Sequence, residues 1–143
     1  RQLPDNAYFG EKDFQQLRII DNMTQSLGLK TKIVGCPIIR ESDGLAMSSR
    51  NRLLSSNERK LAVKPFEALQ FVKSNAKKYT YQTLQNKVAA FFDKYETMAL
   101  DYFKITDPNT LKEIPLDQPA SKGRGFIAVH LGKIRLIDNL DMS

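Results

Sequence analysis

A glycine turn that feeds an amphipathic helix, followed by a short apolar strand, narrows the fold of this chain more than any other feature. Gly10 opens the run Gly10-Glu11-Lys12-Asp13-Phe14, after which Phe14, Leu17, Ile20, Met23 and Leu27 recur at three- and four-residue steps. That is the spacing of one helix face, and Gly28 supplies its stop. Lys32-Ile33-Val34-Gly35 reads as a short buried strand halted by Pro37. Strand, glycine turn, helix and strand form the closing part of a βαβ unit with a parallel sheet. One such unit cannot cover both faces of a sheet. Residues 1–36 are therefore expected to be the C-terminal edge of a larger α/β domain.

From Pro37 the pattern changes. Residues 38–51 lack periodicity and are expected to form an ordered loop. Ser55-x-x-Glu58 is a capping-box pattern, starting a helix that should reach about Lys78 but be kinked or split by Pro65. Thr80 can cap a second helix, with Leu84, Val88, Phe91, Phe92 and Tyr95 on one face. Leu100 to Thr106 favours a strand ended by the turn Asp107-Pro108-Asn109. Gln118 to Gly125 is expected to be loop. Phe126–Leu131 and Ile134–Ile137 then read as a hairpin turning at Gly132-Lys133. Residues 37–143 thus predict a small α+β domain, with helices on a mostly antiparallel sheet.

The chain has 143 residues, 41% hydrophobic and 27% charged, as soluble globular proteins have. No apolar run approaches the ~20 residues that span a bilayer, and Arg1-Gln2-Leu3-Pro4 has no signal-peptide character. The single cysteine, Cys36, excludes an internal disulfide and fits a reducing compartment, so a cytoplasmic location is expected. The formal charge of +6 favours phosphate-bearing ligands. The lysines are scattered or paired, not interleaved with aromatics as a stacking platform requires, and no nucleic-acid interface is expected. No His/Cys cluster supports a metal site.

Two segments carry chemistry. In Gly10 to Gln16, the first turn of a helix offers unpaired N–H groups and the positive end of its dipole to an anion. Glycine lets backbone approach a ligand closely. Lys12 brings a flexible charge suited to phosphate oxygens, Asp13 can accept from a ribose hydroxyl, and Gln16 can both donate and accept towards a hydroxy-acid. The plainer reading is an ordinary helix start. In Leu45 to Arg50, Ser48 and Ser49 provide hydroxyl donors and Arg50 can grip phosphate bidentately, while Met47 can pack on a purine. Here the plainer reading is a capped loop entering a helix. Each segment alone is a modest anion site; together, at this spacing, they read as two walls of one ATP site.

Together with Pro4-Asp5, Asp107-Pro108-Asn109-Thr110-Leu111 and Arg135-Leu136-Ile137-Asp138-Asn139, these segments resemble the pantoate–β-alanine ligase family along nearly the whole chain. That resemblance implies the end of a Rossmann-like nucleotidylyl-transferase domain in residues 1–36 and a C-terminal lid domain in residues 37–143. Met47-Ser48-Ser49-Arg50 then resembles a variant of the mobile Lys-Met-Ser-Lys-Ser loop. The implied reaction is attack of pantoate on ATP to give pantoyl adenylate and pyrophosphate, followed by displacement of AMP by β-alanine, with Mg²⁺ accompanying the triphosphate. Implied ATP-binding positions are Gly10, Glu11, Lys12, Asp13, Ile39 (through its backbone), Met47, Ser48, Ser49 and Arg50. Lys12, Ser48, Ser49 and Arg50 meet the phosphates, and Gln16 meets pantoate. A homodimer is implied for the full-length enzyme.

The family's His-x-Gly-His signature is absent, and the only histidine, His130, lies in an expected strand without a matching context. A second pantoate-binding glutamine is absent too. The chain is therefore expected to be a C-terminal half, inactive alone. Alternatives are a non-catalytic nucleotide-binding or regulatory module, or a related adenylate-forming nucleotidylyl transferase. Cys36 reads as structural, Tyr79, Tyr81, Phe91, Phe92 and Tyr95 as a packing face, and Lys122-Gly123-Arg124-Gly125 as a solvated loop tip.

Overall fold

A computed structural model describes residues 4–143. The chain divides into two compact units, one ending at Ile39 and one spanning Arg40–Ser143.

In the first unit, β1 (Asn6–Gly10) and β2 (Lys32–Cys36) pair in parallel, from Asn6 opposite Lys32 to Gly10 opposite Cys36. Between them a 3₁₀ turn, Glu11–Asp13, leads into α1 (Phe14–Ser26). Gly28, at φ +62°, takes the left-handed position that ends the helix. Phe14 and Leu17 of the expected face are buried, but Met23 is 50% exposed and Leu27 65%. The correction has a geometric cause. Two strands about 5 Å apart are narrower than the roughly 10 Å helix lying across them, so part of its apolar stripe stays uncovered.

In the second unit, a connection from Arg40 reaches a 3₁₀ turn, Ser49–Leu53, and then three helices: α2 (Ser56–Leu61), α3 (Lys64–Asn75) and α4 (Tyr81–Phe92). The capping box forms in full. Ser55 Oγ accepts from the Glu58 N–H at 3.3 Å, and the Glu58 carboxylate accepts from the Ser55 N–H at 2.8 Å. Pro65 stands in the first turn of α3, where its missing N–H costs nothing, and so splits the helical run in two. Thr80 caps α4 by accepting from the Thr83 N–H.

Strands β3 (Met98–Thr106), β4 (Arg124–Leu131) and β5 (Ile134–Asp141) form an antiparallel sheet in that order. β4 and β5 are joined by the two-residue turn Gly132-Lys133. Pairing slips between Leu100 and Tyr102, leaving Asp101 as a bulge residue that accepts from Arg135 Nε at 2.9 Å. α3 packs on β4 and β5, and α4 on β3. Leu69, Val72, Tyr81, Leu84, Val88 and Phe92 from the helices meet Ile105, Ile127, Val129 and Leu131 from the sheet, all fully buried or nearly so. Each such aliphatic or aromatic side chain contributes about 1.5–3 kcal/mol. The Tyr81 hydroxyl donates to Glu113 at 2.5 Å and accepts from Gln85. Burial first, then that carboxylate, raise its pKa above the ordinary tyrosine value and keep it a neutral donor.

Two further readings change: β2, expected as a buried strand, has no buried residue, its side chains being half-buried or exposed, and the segment entering β4 is enclosed. Lys122-Gly123-Arg124-Gly125 is not a solvated tip, because Gly123, Arg124 and Gly125 are buried and β4 begins at Arg124. Arg124 Nε donates to Asn139 Oδ1 at 2.7 Å. A Cβ on Gly123 would fall 2.4 Å from Ile105, and one on Gly125 2.4 Å from Met142. Here the glycines serve close packing.

Candidate active site

In the first unit the glycine segment sits at the carboxyl end of the parallel pair. Gly10 closes β1 opposite Cys36, at the sheet edge where open α/β sheets receive ligands. Its backbone is extended (φ −70°, ψ 132°), a conformation any residue adopts. A Cβ there would meet nothing within 4 Å. The fold itself therefore does not ask for glycine at this position, which leaves room for a ligand as the reason.

Glu11 is half-buried with its carboxylate against Gly35, where a Cβ would come 3.3 Å from Glu11 Oε1 and 3.1 Å from Leu17. Lys12 is half-buried, while Asp13 and Gln16 are exposed. Lys12 lies in the 3₁₀ turn and Gln16 in the first turn of α1, and Asp13 between them, at φ −96° and ψ 55°, departs from helical backbone. Ile39, in the same unit, is 70% exposed. Cys36 is a half-buried free thiol.

In the second unit the serine–arginine segment is the exposed end of an anchored loop. Arg40 and Ala46 form an isolated antiparallel bridge, closed by Glu41 N–H to Leu45 O at 2.8 Å and Gly44 N–H to Glu41 O at 2.9 Å. Leu45 and Ala46 are buried, at 6% and 3% exposure. Beyond them Met47 turns outward, and Ser48 begins the 3₁₀ turn by accepting the Arg50 N–H at 3.3 Å. Asn51 Nδ2 donates to Ala46 O at 3.1 Å, tying the turn back to the loop. Ser49 and Arg50 are exposed, and the Arg50 guanidinium has no ion pair among the described residues. A cleft beside them is lined by Glu41, Met47, Ser48, Ser49, Arg52 and Arg59.

What holds this loop escaped sequence reasoning. Arg40 reaches Asp138 on β5 through two bonds, 2.7 Å from Nη1 and 2.9 Å from Nη2, and also donates to Gly44 O at 2.9 Å. Its guanidinium lies 4.0 Å from the centroid of the Phe66 ring. A second tie joins Arg59 to Asp43 at 2.7 Å. The Arg59 bond holds the Asp43 carboxyl below its ordinary range, and Asp43 in turn raises Arg59. No local signal marks these pairs, since Arg40 and Asp138 stand 98 positions apart.

Among the described residues no cluster of three His, Cys, Asp or Glu side chains could hold a metal ion. His130 is half exposed, with Nε2 3.9 Å from Asp101 on the bulge.

The chain matches the family model "Pantoate-beta-alanine ligase" over residues 2–141. It belongs to the pantoate–β-alanine ligase family. The pantothenate synthetase of Bacteroides thetaiotaomicron is 44% identical over 137 residues, covering 96% of this chain and 49% of that protein. That of Christiangramia forsetii is 43% identical over 140 residues, covering 98% and 50%. The chain therefore spans about half the length of the curated relatives it matches. Among solved structures, the pantothenate synthetase of Thermus thermophilus aligns with a TM-score of 0.87 at 37% identity, over 97% of this chain and 50% of that one. The pantoate–β-alanine ligase of Francisella tularensis, crystallised with β,γ-ATP and β-alanine, aligns at 0.65 with 31% identity, over 97% of this chain and 44% of that one.

Proposed function

We propose that this chain is the C-terminal half of an ATP-dependent ligase that condenses pantoate with β-alanine. The observation that carries this reading is the family match through residues 2–141, which includes both glycine-flanked segments. Residues 1–36 are the edge of a Rossmann-like nucleotidylyl-transferase domain, and residues 37–143 its C-terminal lid domain. Supporting that division are the parallel β1–α1–β2 unit, the exposed apolar side chains Tyr8, Ile19, Met23 and Leu27 upon it, and the antiparallel sheet of the second unit.

Gly10, Glu11, Lys12 and Asp13 form the first ATP-binding stretch, with Gly10 and Asp13 towards the ribose and Lys12 towards the phosphates, and Ile39 meets the adenine through its backbone. Met47, Ser48, Ser49 and Arg50 take the second stretch, the last three beside the phosphates. Gln16 holds pantoate. A pantoate carboxylate oxygen attacks the α-phosphorus, the bond to the β-phosphate oxygen breaks and pyrophosphate leaves. The β-alanine amine then attacks the acyl carbon of pantoyl adenylate, AMP departs and the amine gives up a proton. No acid–base pair is required of this chain. Its part is to position the reactants and to offset charge at the α-phosphate with Lys12 and Arg50. Mg²⁺ travels with the triphosphate as part of the substrate.

The working enzyme is a cytoplasmic homodimer in this reading. No helix among the described residues is long and apolar enough to cross a membrane. Pantoate-dependent exchange of pyrophosphate into ATP by the complete gene product tests the proposal. Exchange that requires pantoate is expected, and exchange indifferent to pantoate would move the assignment to another acid.

A further inference from the structure

The loop that carries Ser48, Ser49 and Arg50 has a built anchor at its base, and none of the anchoring groups meets the reactants in the reading above. Arg40 presents both terminal nitrogens to Asp138, whose side chain is 5% exposed against 18% for Arg40. A planar guanidinium fork fixes direction as well as distance, which a single ammonium cannot. The same guanidinium donates to Gly44 O inside the loop and lies over Phe66 of α3. Gly44, at φ +98°, is pressed against that ring so closely that a Cβ would fall 2.2 Å from Phe66 Cδ1. Asp138 faces the helix-covered side of β5 with Ile127, its cross-strand partner. Its neighbour Asn139 faces the opposite side and accepts from Arg124. Loop, helix and sheet therefore meet at one side chain, and the segment Ser48, Ser49 and Arg50 begins eight residues beyond it.

We propose that Arg40, through its fork to Asp138, is a positioning residue that sets where Ser48, Ser49 and Arg50 stand for the nucleotide phosphates. This deepens the ligase reading and rests on it. A phosphate-binding loop displaced by an ångström costs on the order of 100-fold in rate, while the same displacement leaves the core of the unit packed.

The test uses the full-length protein carrying Asp138→Asn, which keeps the side-chain shape, and Arg40→Lys, which keeps the charge but not the fork. Arg135→Ala, on the same strand as Asp138, removes the exposed pair with Asp101 of β3 and is the control. The expected result is a KM for ATP raised about 10- to 100-fold in both anchor variants. The KM for β-alanine and the rate of aminolysis of supplied pantoyl adenylate should stay unchanged, and the control should behave as wild type. Amide hydrogen exchange should quicken from Leu45 to Leu53 in the anchor variants and not elsewhere on the sheet. An unchanged KM for ATP in folded anchor variants, or an equal rise in the control, would overturn the proposal. Unchanged exchange in the loop would overturn it without reference to activity. A wild-type protein with no pantoate-dependent exchange would instead refute the ligase reading, leaving the hydrogen-exchange arm to judge the anchor.

Discussion

Arg40 and Asp138, 98 positions apart in the chain, are joined by two N–H···O bonds of 2.7 and 2.9 Å at the base of the loop that presents Ser48, Ser49 and Arg50. Breaking such a buried pair leaves one charge without its partner. Asp138→Ala should therefore cost about 3 kcal/mol of stability. Replacing both members by apolar residues, Arg40→Met with Asp138→Leu, should cost less than the single change, because no orphan charge remains. Urea unfolding of the three proteins measures the difference. A double variant less stable than Asp138→Ala would show that the pair contributes more than mutual neutralisation.

Two glycines should respond in opposite ways. Gly44→Ala meets both a positive φ and the Phe66 ring, and is expected to lose about 2–4 kcal/mol. Gly10→Ala meets open space in an extended backbone, so stability should move by less than about 0.5 kcal/mol. If nucleotide approaches Gly10, its KM for ATP should nevertheless rise. Thermal melting beside ATP kinetics separates the two effects, and a destabilised Gly10→Ala would remove the ligand explanation for that glycine.

Lys12 and Lys77 provide a further contrast. Lys12 follows the glycine turn and is half-buried, whereas Lys77 is exposed between α3 and α4. In the complete enzyme Lys12→Ala should lower kcat/KM for ATP by at least about 100-fold, the scale of one lost transition-state donor. Lys77→Ala should leave it near wild type. Equal effects would undo the assignment of Lys12 to phosphate.

Acid should loosen the second unit in a defined window. The Ser55 backbone N–H, then its hydroxyl, hold Glu58 below its ordinary 4.5, and the Arg59 bond holds Asp43 below its ordinary 3.8. A carboxylate depressed in the folded state adds stability that is complete above its unfolded pKa and is lost as pH falls through its folded one. Stability should thus hold above about pH 5 and decline steadily towards pH 3. Ser55→Ala should lower the plateau by about 1 kcal/mol, as loss of an N-cap does, while keeping most of the decline, because its backbone N–H still donates to Glu58. Glu58→Gln should flatten the decline, and a decline as steep as wild type in that variant would exclude Glu58 as a contributor.

Elements defined by neighbouring residues were legible in the chain. The glycine stop of α1, the Ser55–Glu58 box, the split at Pro65, the Thr80 cap and the two-residue turn at Gly132 each depend on a few adjacent residues, and each forms. Features settled by distant partners were not. Nothing near Gly123 or Arg124 announces that Ile105 and Asn139 will enclose them. The exposure of Met23 and Leu27 depends on the width of a two-stranded sheet, which helical periodicity does not encode. The same divide runs through the candidate site. The segments around Lys12 and Ser48 could be picked out from residue type and from likeness to a family. Asp138 was visible only as part of a matched stretch, and its partner Arg40 passed as ordinary loop.

The central claim, that this chain is half of a ligase joining pantoate to β-alanine through an adenylate, is tested most directly by AMP release from the complete gene product. The measurement supplies ATP, Mg²⁺ and pantoate, with and without β-alanine. Sustained AMP release that requires both pantoate and β-alanine is the predicted result. Sustained release without β-alanine, or none when both are present, would contradict it.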